Sequence, residues 1–336
     1  MSRRIVAFGE LLIRLTPPNR QLLVQSAGLD WFVGGAEANA AVGLATLGHE
    51  VSFVGAVSSN TLGDRVISSL RAAGIDTRHL IRAPGRMGLY FMETGSGPRP
   101  SSILYDRAGS AFAELDPDLI PFDAAIAGAA VFHCGGITPA LGPNGVRLAQ
   151  RAVASACKCG VPICFDGNYR AQLWSSWTSD PQRELRALVE QATILIGNHR
   201  DISLLLGKAF SGEGVERRRA AALAAFDEFP NLQLIASTAR SLVTADHHQI
   251  SARVDSRDAS FQTPEIDITG IVERIGSGDA FAAGILHGWV NGYDLRGMAE
   301  SGLALTALKH SIPGDLCIIG RAELDAFSAS GGDVRR

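Results

Sequence analysis

Gly276-Ser277-Gly278-Asp279, followed by Ala280-Phe281-Ala282-Ala283-Gly284, is the stretch whose residue types and order could do chemistry. A Gly-Ser-Gly turn lets backbone come close to a ligand, because neither glycine carries a Cβ. The run after it reads as helix, and the free N–H groups at a helix start favour an anion. Asp279 falls in that first turn, where negative charge is stabilised. Such a carboxylate can accept a hydroxyl proton while the amides of Gly276, Ser277 and Gly278 hold charge developing on a phosphoryl group. The competing reading of a bare G-x-G-D is a β-to-α turn with an acidic cap, since short glycine motifs often match by chance. Two better-known templates fail. A dinucleotide fingerprint requires glycine where Phe281 stands, and a P-loop requires Gly-Lys-Ser/Thr, whereas Gly207-Lys208 runs into Ala209.

The elements that would position this stretch alternate along the chain. Strands are expected at Ile5–Phe8, Val51–Val57, Ala129–Cys134, Pro162–Phe165, Thr193–Ile196 and Leu232–Ser237. Helices are expected at Ala36–Leu47, Asp64–Ala73, Gly145–Cys157, Leu185–Ala192, Ala280–Val290 and Leu295–His310, with Gly48 and Gly74 as C-terminal stops. This rhythm predicts an α/β fold, a largely parallel sheet covered on both faces. Two segments break it. Leu11–Val33 holds Thr16-Pro17-Pro18-Asn19 and no good helix, and Met87–Arg107 reads as a hairpin. A β-sheet lid made from 13–33 and 87–107, inserted in a core of 1–12, 34–86 and 108–330, is the expectation, with a merely decorative hairpin as the alternative. The tail Ser328–Arg336 is expected to fray.

With 336 residues, 46% hydrophobic and 19% charged, the chain can bury a substantial core. A net charge of −3 gives no sign of nucleic-acid binding, and no apolar run reaches the length of a membrane span. Two arginines running straight into a strand-like segment make a poor signal peptide. Five cysteines in no regular framework suggest reduced thiols in a cytoplasmic protein. Cys157 and Cys159 have the wrong spacing for a zinc knuckle, with no histidine at ligand distance. His247-His248 is expected at a surface turn.

A second motif joins the first. Phe32-Val33-Gly34-Gly35-Ala36-Glu37-Ala38-Asn39-Ala40-Ala41 leads paired glycines into a thin, small-residue helix on which Asn39 can face a sugar hydroxyl. Alone, such a helix signals tight packing. Together with the Gly276–Gly284 run it resembles the two signatures of the ribokinase-like (PfkB) carbohydrate kinases. Further pieces resemble the 2-keto-3-deoxygluconate kinases within that family: Gly88-Leu89-Tyr90-Phe91, Tyr105-Asp106-Arg107, Phe165-Asp166-Gly167-Asn168-Tyr169-Arg170 and Ala307-Leu308-Lys309-His310-Ser311-Ile312-Pro313-Gly314-Asp315.

The resemblance implies a three-layer α/β/α core, Asp279 as general base, and ATP with Mg2+. It places Gly34, Gly35, Glu37, Asn39, Tyr90, Tyr105 and Arg107 around the substrate, with Arg170 near substrate or phosphate. Arg107 and Arg170 suit a carboxylate, which a guanidinium grips as a fork. On the nucleotide side it implies Asn168, Arg170, Asn198, Ser237, Thr238 and Arg240, with Gly276 and Gly278. Asn198 and Asp201 would order the waters of the magnesium, and a monovalent cation such as K+ stays open. The partners implied are a small sugar acid, ATP and further copies of the chain in a dimer or higher homo-oligomer. Departures from the family pattern are Glu273-Arg274-Ile275 in place of Asp-Thr-Thr, and Ser237-Thr238-Ala239-Arg240-Ser241 where relatives have a glycine-rich segment. The expected activity is ATP-dependent phosphorylation of 2-keto-3-deoxygluconate to its 6-phosphate. The alternatives are a kinase for a neutral sugar such as fructose or for a nucleoside, and a sugar-binding relative without turnover.

Overall fold

The computed structural model describes residues 4–212 and 214–327, so the tail expected to fray lies outside the described residues. Its strands, in chain order, are β1 (Ile5–Phe8), β2 (Leu12–Thr16), β3 (Asp30–Gly34), β4 (Val51–Ser58), β5 (Leu80–Ala83), β6 (Gly88–Glu93) and β7 (Ser102–Asp106). They continue with β8 (Val131–Gly135), β9 (Ile163–Asp166), β10 (Ile194–Ile196), β11 (Leu234–Thr244), β12 (His247–Asp255), β13 (Ser260–Gln262) and β14 (Ile266–Thr269). Ten of them form one sheet in the order β13-β12-β11-β10-β9-β8-β1-β4-β5, with β14 also paired to β12. From β11 across to β5 every pairing is parallel.

Strand β1 shows why the sheet is covered on both sides. All four of its residues are apolar and fully buried, as a central parallel strand requires. Side chains alternate across a strand, so Ile5 and Ala7 enter one core while Val6 and Phe8 enter the other. The first core takes the helices Ala36–Thr46, Ser277–Val290 and Leu295–Lys309; the second takes Pro143–Lys158, Pro181–Val189 and Gly214–Glu228. The small residues of the first group permit close packing. A Cβ on Gly284 would lie 2.6 Å from the Gly302 Cα, so the helices Ser277–Val290 and Leu295–Lys309 nearly touch backbone to backbone.

The second sheet has the order β3-β2-β6-β7. Leu11–Val33, a stretch without a clear sequence signal, supplies β2 and β3, which join the expected β6–β7 hairpin through a parallel β2–β6 pairing.

Several expected boundaries move for local reasons. The helix expected from Asp64 begins at Thr61, because the Asn60 side chain accepts the Leu62 and Gly63 N–H groups. The helix expected from Leu185 begins at Pro181, with Asp180 capping the Arg183 N–H. The strand expected to stop at Ser237 runs on to Thr244 and returns as antiparallel β12. His247-His248 therefore lies in a strand rather than at a surface turn, and His248 is fully buried, its ring edge-on to His310.

Candidate active site

A cavity of about 660 Å3 lies past the carboxyl ends of β8, β9, β10 and β11, beside the small sheet. That is where an open α/β sheet offers a ligand crevice. At its floor begins the helix Ser277–Val290. Gly276 caps it in the left-handed conformation (φ 79°) and contributes no side-chain oxygen to the first-turn amides. A Cβ there would also meet the Asp315 carbonyl oxygen at 2.0 Å, so the turn needs glycine twice over. The Ser277 amide already donates to the Arg274 carbonyl at 3.3 Å.

Asp279 stands in this first turn, half-buried and open to the cavity. Its Oδ2 accepts from Asn39 Nδ2 at 2.7 Å, which joins the two sequence motifs in one hydrogen bond across 240 residues of chain. Burial pushes the Asp279 carboxyl up to about 6; the Asn39 bond and then Arg170 pull the other way, and Asp315 adds to the rise. A base with that pKa is ionised at neutral pH yet basic enough to take a proton.

Most of the residues expected to bind ligands come together here. Gly35, Asn39, Tyr90, Tyr105 and Arg107 line the cavity, as do Asn168, Arg170, Asn198, Asp201, Ser237, Thr238, Arg240, Gly276, Ser277, Gly278 and Asp279. Gly34 and Glu37 do not. A Cβ on Gly34 would strike the Asp315 carboxylate, so this glycine makes room behind the wall. Glu37 lies beneath the floor against Gly9 and Gly135, and burial pushes its carboxyl up to about 8.

Arg107 carries a partner that the motifs did not announce. Glu10 Oε2 accepts from its Nε at 2.9 Å and its Nη2 at 2.5 Å, and Glu10 Oε1 accepts from the Ser110 hydroxyl. A second buried network holds Tyr90: its hydroxyl donates to Asp315 Oδ2, and Arg14 lies 3.1 Å from Asp315 Oδ1 and 2.7 Å from Glu273 Oε2. Behind Gly276, the fully buried Lys309 ammonium donates to the carbonyls of Gly314 (2.7 Å) and Ile312 (3.2 Å). The available signal for Glu10 and Arg14 was a charge interrupting the apolar run from Phe8 to Leu15, which folding must bury and therefore pair.

Asn198 and Asp201 form a capping box on the helix His199–Leu206, with Asp201 Oδ2 accepting the Asn198 N–H and Asn198 Oδ1 the Arg200 N–H. Among the described residues no group of three or more His, Cys, Asp or Glu side chains could cage a metal. The oxygen donors Asp166 and Asp201 nonetheless line the cavity, and Asp166 is held well above the carboxylate range, first by burial and then by Asp279 and Asp201. This set fits Mg2+, which keeps several waters and takes one or two carboxylates together with phosphate oxygens. All five cysteines are free.

A doubly covered, mostly parallel sheet with a smaller separate sheet beside its ligand crevice defines a ribokinase-like α/β protein. The family model for pfkB family carbohydrate kinases matches residues 2–315. The chain belongs to that family and is a carbohydrate kinase. It is 30% identical over 334 residues to a 2-dehydro-3-deoxygalactonokinase of Haloferax volcanii, covering 99% of both chains. The crystal structure of a 2-dehydro-3-deoxygluconokinase from Thermotoga maritima superposes with a TM-score of 0.93 at 33% identity, over 98% of this chain and 99% of that one. A fructokinase from Xylella fastidiosa with bound ATP has the same fold, at 21% identity, a TM-score of 0.79 and coverage of 97% and 98%.

Proposed function

We propose that this kinase phosphorylates a 2-keto-3-deoxy sugar acid, 2-keto-3-deoxygluconate (2-dehydro-3-deoxygluconate), at its terminal hydroxyl. The observation that carries the reading is Asp279, held by Asn39 in the first turn of a helix, on the floor of a cavity that Arg107, Arg170, Tyr90 and Tyr105 also line. The names of the full-length relatives, both kinases of 2-dehydro-3-deoxy acids, support the substrate class.

In this reading the terminal hydroxyl oxygen attacks the γ-phosphorus of ATP and loses its proton to Asp279. The bond from phosphorus to the β,γ-bridging oxygen breaks, and ADP leaves. The amides of Gly276 and Gly278 at the helix start stabilise the charge on the transferring group, while that of Ser277 is held by the Arg274 carbonyl. Mg2+, with its waters ordered by Asp201 and Asn198, would neutralise phosphate charge. Arg107 and Arg170 grip the acid end, and the small sheet closes over the sugar as a lid, converting binding energy into alignment.

One observation favours a neutral substrate instead: Glu10 already neutralises Arg107. ATP turnover by the purified chain with 2-keto-3-deoxygluconate, its galacto epimer, fructose, ribose and adenosine separates the two. Activity confined to the keto acids supports the acid reading. Activity on fructose or ribose alone discards it and leaves Asp279 in place.

A further inference from the structure

Arg240 and Arg274 both line the cavity, and neither has a carboxylate partner among the described residues. Arg240 projects from β11, three residues after Ser237. Arg274 sits two residues before the Gly276 turn, and its backbone is pinned on both sides. Glu273 Oε1 accepts the N–H of Arg274 at 2.9 Å and that of Ile275 at 3.0 Å, while the Arg274 carbonyl accepts from the Ser277 amide. The root of this side chain is fixed and its guanidinium is left for something else.

The neighbouring Glu273 carboxylate is taken up by Arg14 and the two backbone amides, which leaves imidazoles beside the two guanidiniums. His248 and His310 are buried within reach of both arginines, their ring centroids 5.6 Å apart, and three of their four ring nitrogens lack a partner. Burial first, and then the two arginines among the neighbouring cations, lowers the His248 pKa to about 4, so this imidazole stays neutral. The Arg240 pKa is lowered by partial loss of solvent and then by Arg274. Two mutually repelling guanidiniums without a protein counter-ion are relieved by a polyanion.

Two anions could answer: the carboxylate of the sugar acid or the phosphates of the nucleotide. The position favours the phosphates. Arg107 is held by Glu10, just past β1, and β1 lies four strands from β11, or about 19 Å across the sheet. Cationic groups therefore stand at both ends of the cavity, and the Gly276 turn adjoins the Arg240–Arg274 end.

We propose that Arg240 and Arg274 form a two-guanidinium clamp on the nucleotide polyphosphate, with Arg274 a catalytic residue that stays on the γ-phosphoryl group as it transfers. The clamp rests on the kinase reading above and deepens it. The hydroxyl proton still goes to Asp279 and the bridging oxygen still leaves on ADP. Arg274 exchanges no proton, since a guanidinium stays charged throughout.

The test is calorimetric binding of ATP, ADP and AMP to the full-length wild type and to Arg240→Ala, Arg274→Ala and Arg274→Lys, with melting curves for each. Both alanine variants should bind ATP about ten- to a hundred-fold more weakly at an unchanged melting temperature, as loss of a charge-assisted contact requires. ADP should suffer less and AMP not at all. Arg274→Ala should lower kcat while sparing the KM of the sugar acid, and Arg274→Lys should recover part of the loss. Unchanged ATP affinity in Arg274→Ala overturns the clamp. A raised sugar-acid KM with ATP affinity intact also overturns it and hands the arginine to the carboxylate. If the wild type binds no ATP, the kinase reading fails as well.

Discussion

Arg14 Nη1 donates to Glu273 Oε2 at 2.7 Å, although the two residues lie 259 positions apart and both are buried. Arg14 belongs to β2 of the small sheet, and Glu273 holds the amides that lead into the Gly276 turn. One ion pair thus ties the small sheet to the loop that leads into the helix carrying the candidate base. Arg14 also stacks on the Phe32 ring, 4.4 Å from its centroid, and reaches Asp315, which takes the Tyr90 hydroxyl.

Removing one side of a buried pair strands the other. Arg14→Met should destabilise the fold by about 3–5 kcal/mol, because Glu273 and Asp315 lose their cation. The double variant Arg14→Met/Glu273→Gln should cost less than the sum of the two single changes, by roughly 0.5–3 kcal/mol. Chemical denaturation of the four proteins measures the coupling, and strict additivity would show that the contact does not link the two parts.

Asp279 and Asn39 give a pH signature. With its carboxyl at about 6, turnover should rise with pH through that value and then level off. Asn39→Ala removes the bond that favours the charged form, so the acidic limb should move upward by about one pH unit. Asp279→Asn should keep ATP affinity and lose roughly two to four orders of magnitude in kcat. A limb that stays in place in Asn39→Ala would mean that another group sets it.

The two glycine motifs were legible because each needs particular letters: glycine where φ is positive or backbone must approach, and a carboxylate at a helix start. Asp279 and Asn39 could be named from those letters, and their hydrogen bond joins them in space. The partners of the charges were not legible. Nothing local to Arg107 says that Glu10, 97 residues earlier, takes its charge, because ion pairing depends on strand order. The β2–β6 pairing was hidden for the same reason, since Leu12–Thr16 carries only a short apolar pattern. His248 looked like a turn residue because a polar letter between Thr244 and Gln249 carries no sign of the buried strand around it.

Arg107 binds in two senses that one substitution would confuse. Arg107→Leu should raise the keto-acid KM and also destabilise the fold by about 3–5 kcal/mol, leaving Glu10 buried without its cation. Adding Glu10→Gln should restore much of the stability without restoring affinity for the acid. If the double variant recovers both, Arg107 acts on structure alone and the carboxylate is held elsewhere.

Glu37 makes alkaline pH costly. An unfolded chain releases this proton near 4.5, whereas burial, helped by Asp279, holds it to about 8 in the fold. Between those values the native state binds more protons than the unfolded one, so stability falls as pH rises and the full penalty applies above about 8. For one carboxyl the penalty is on the order of 5 kcal/mol at most. Glutamine keeps the size and has no proton to release. Glu37→Gln should therefore melt near the wild-type temperature at pH 4.5 and well above it at pH 9, with kcat retained because the side chain lies below the cavity floor. Wild-type and variant melting curves that run parallel across this range would show that Glu37 is ionised in the fold, and its missing counter-ion would then have to be sought in Arg107.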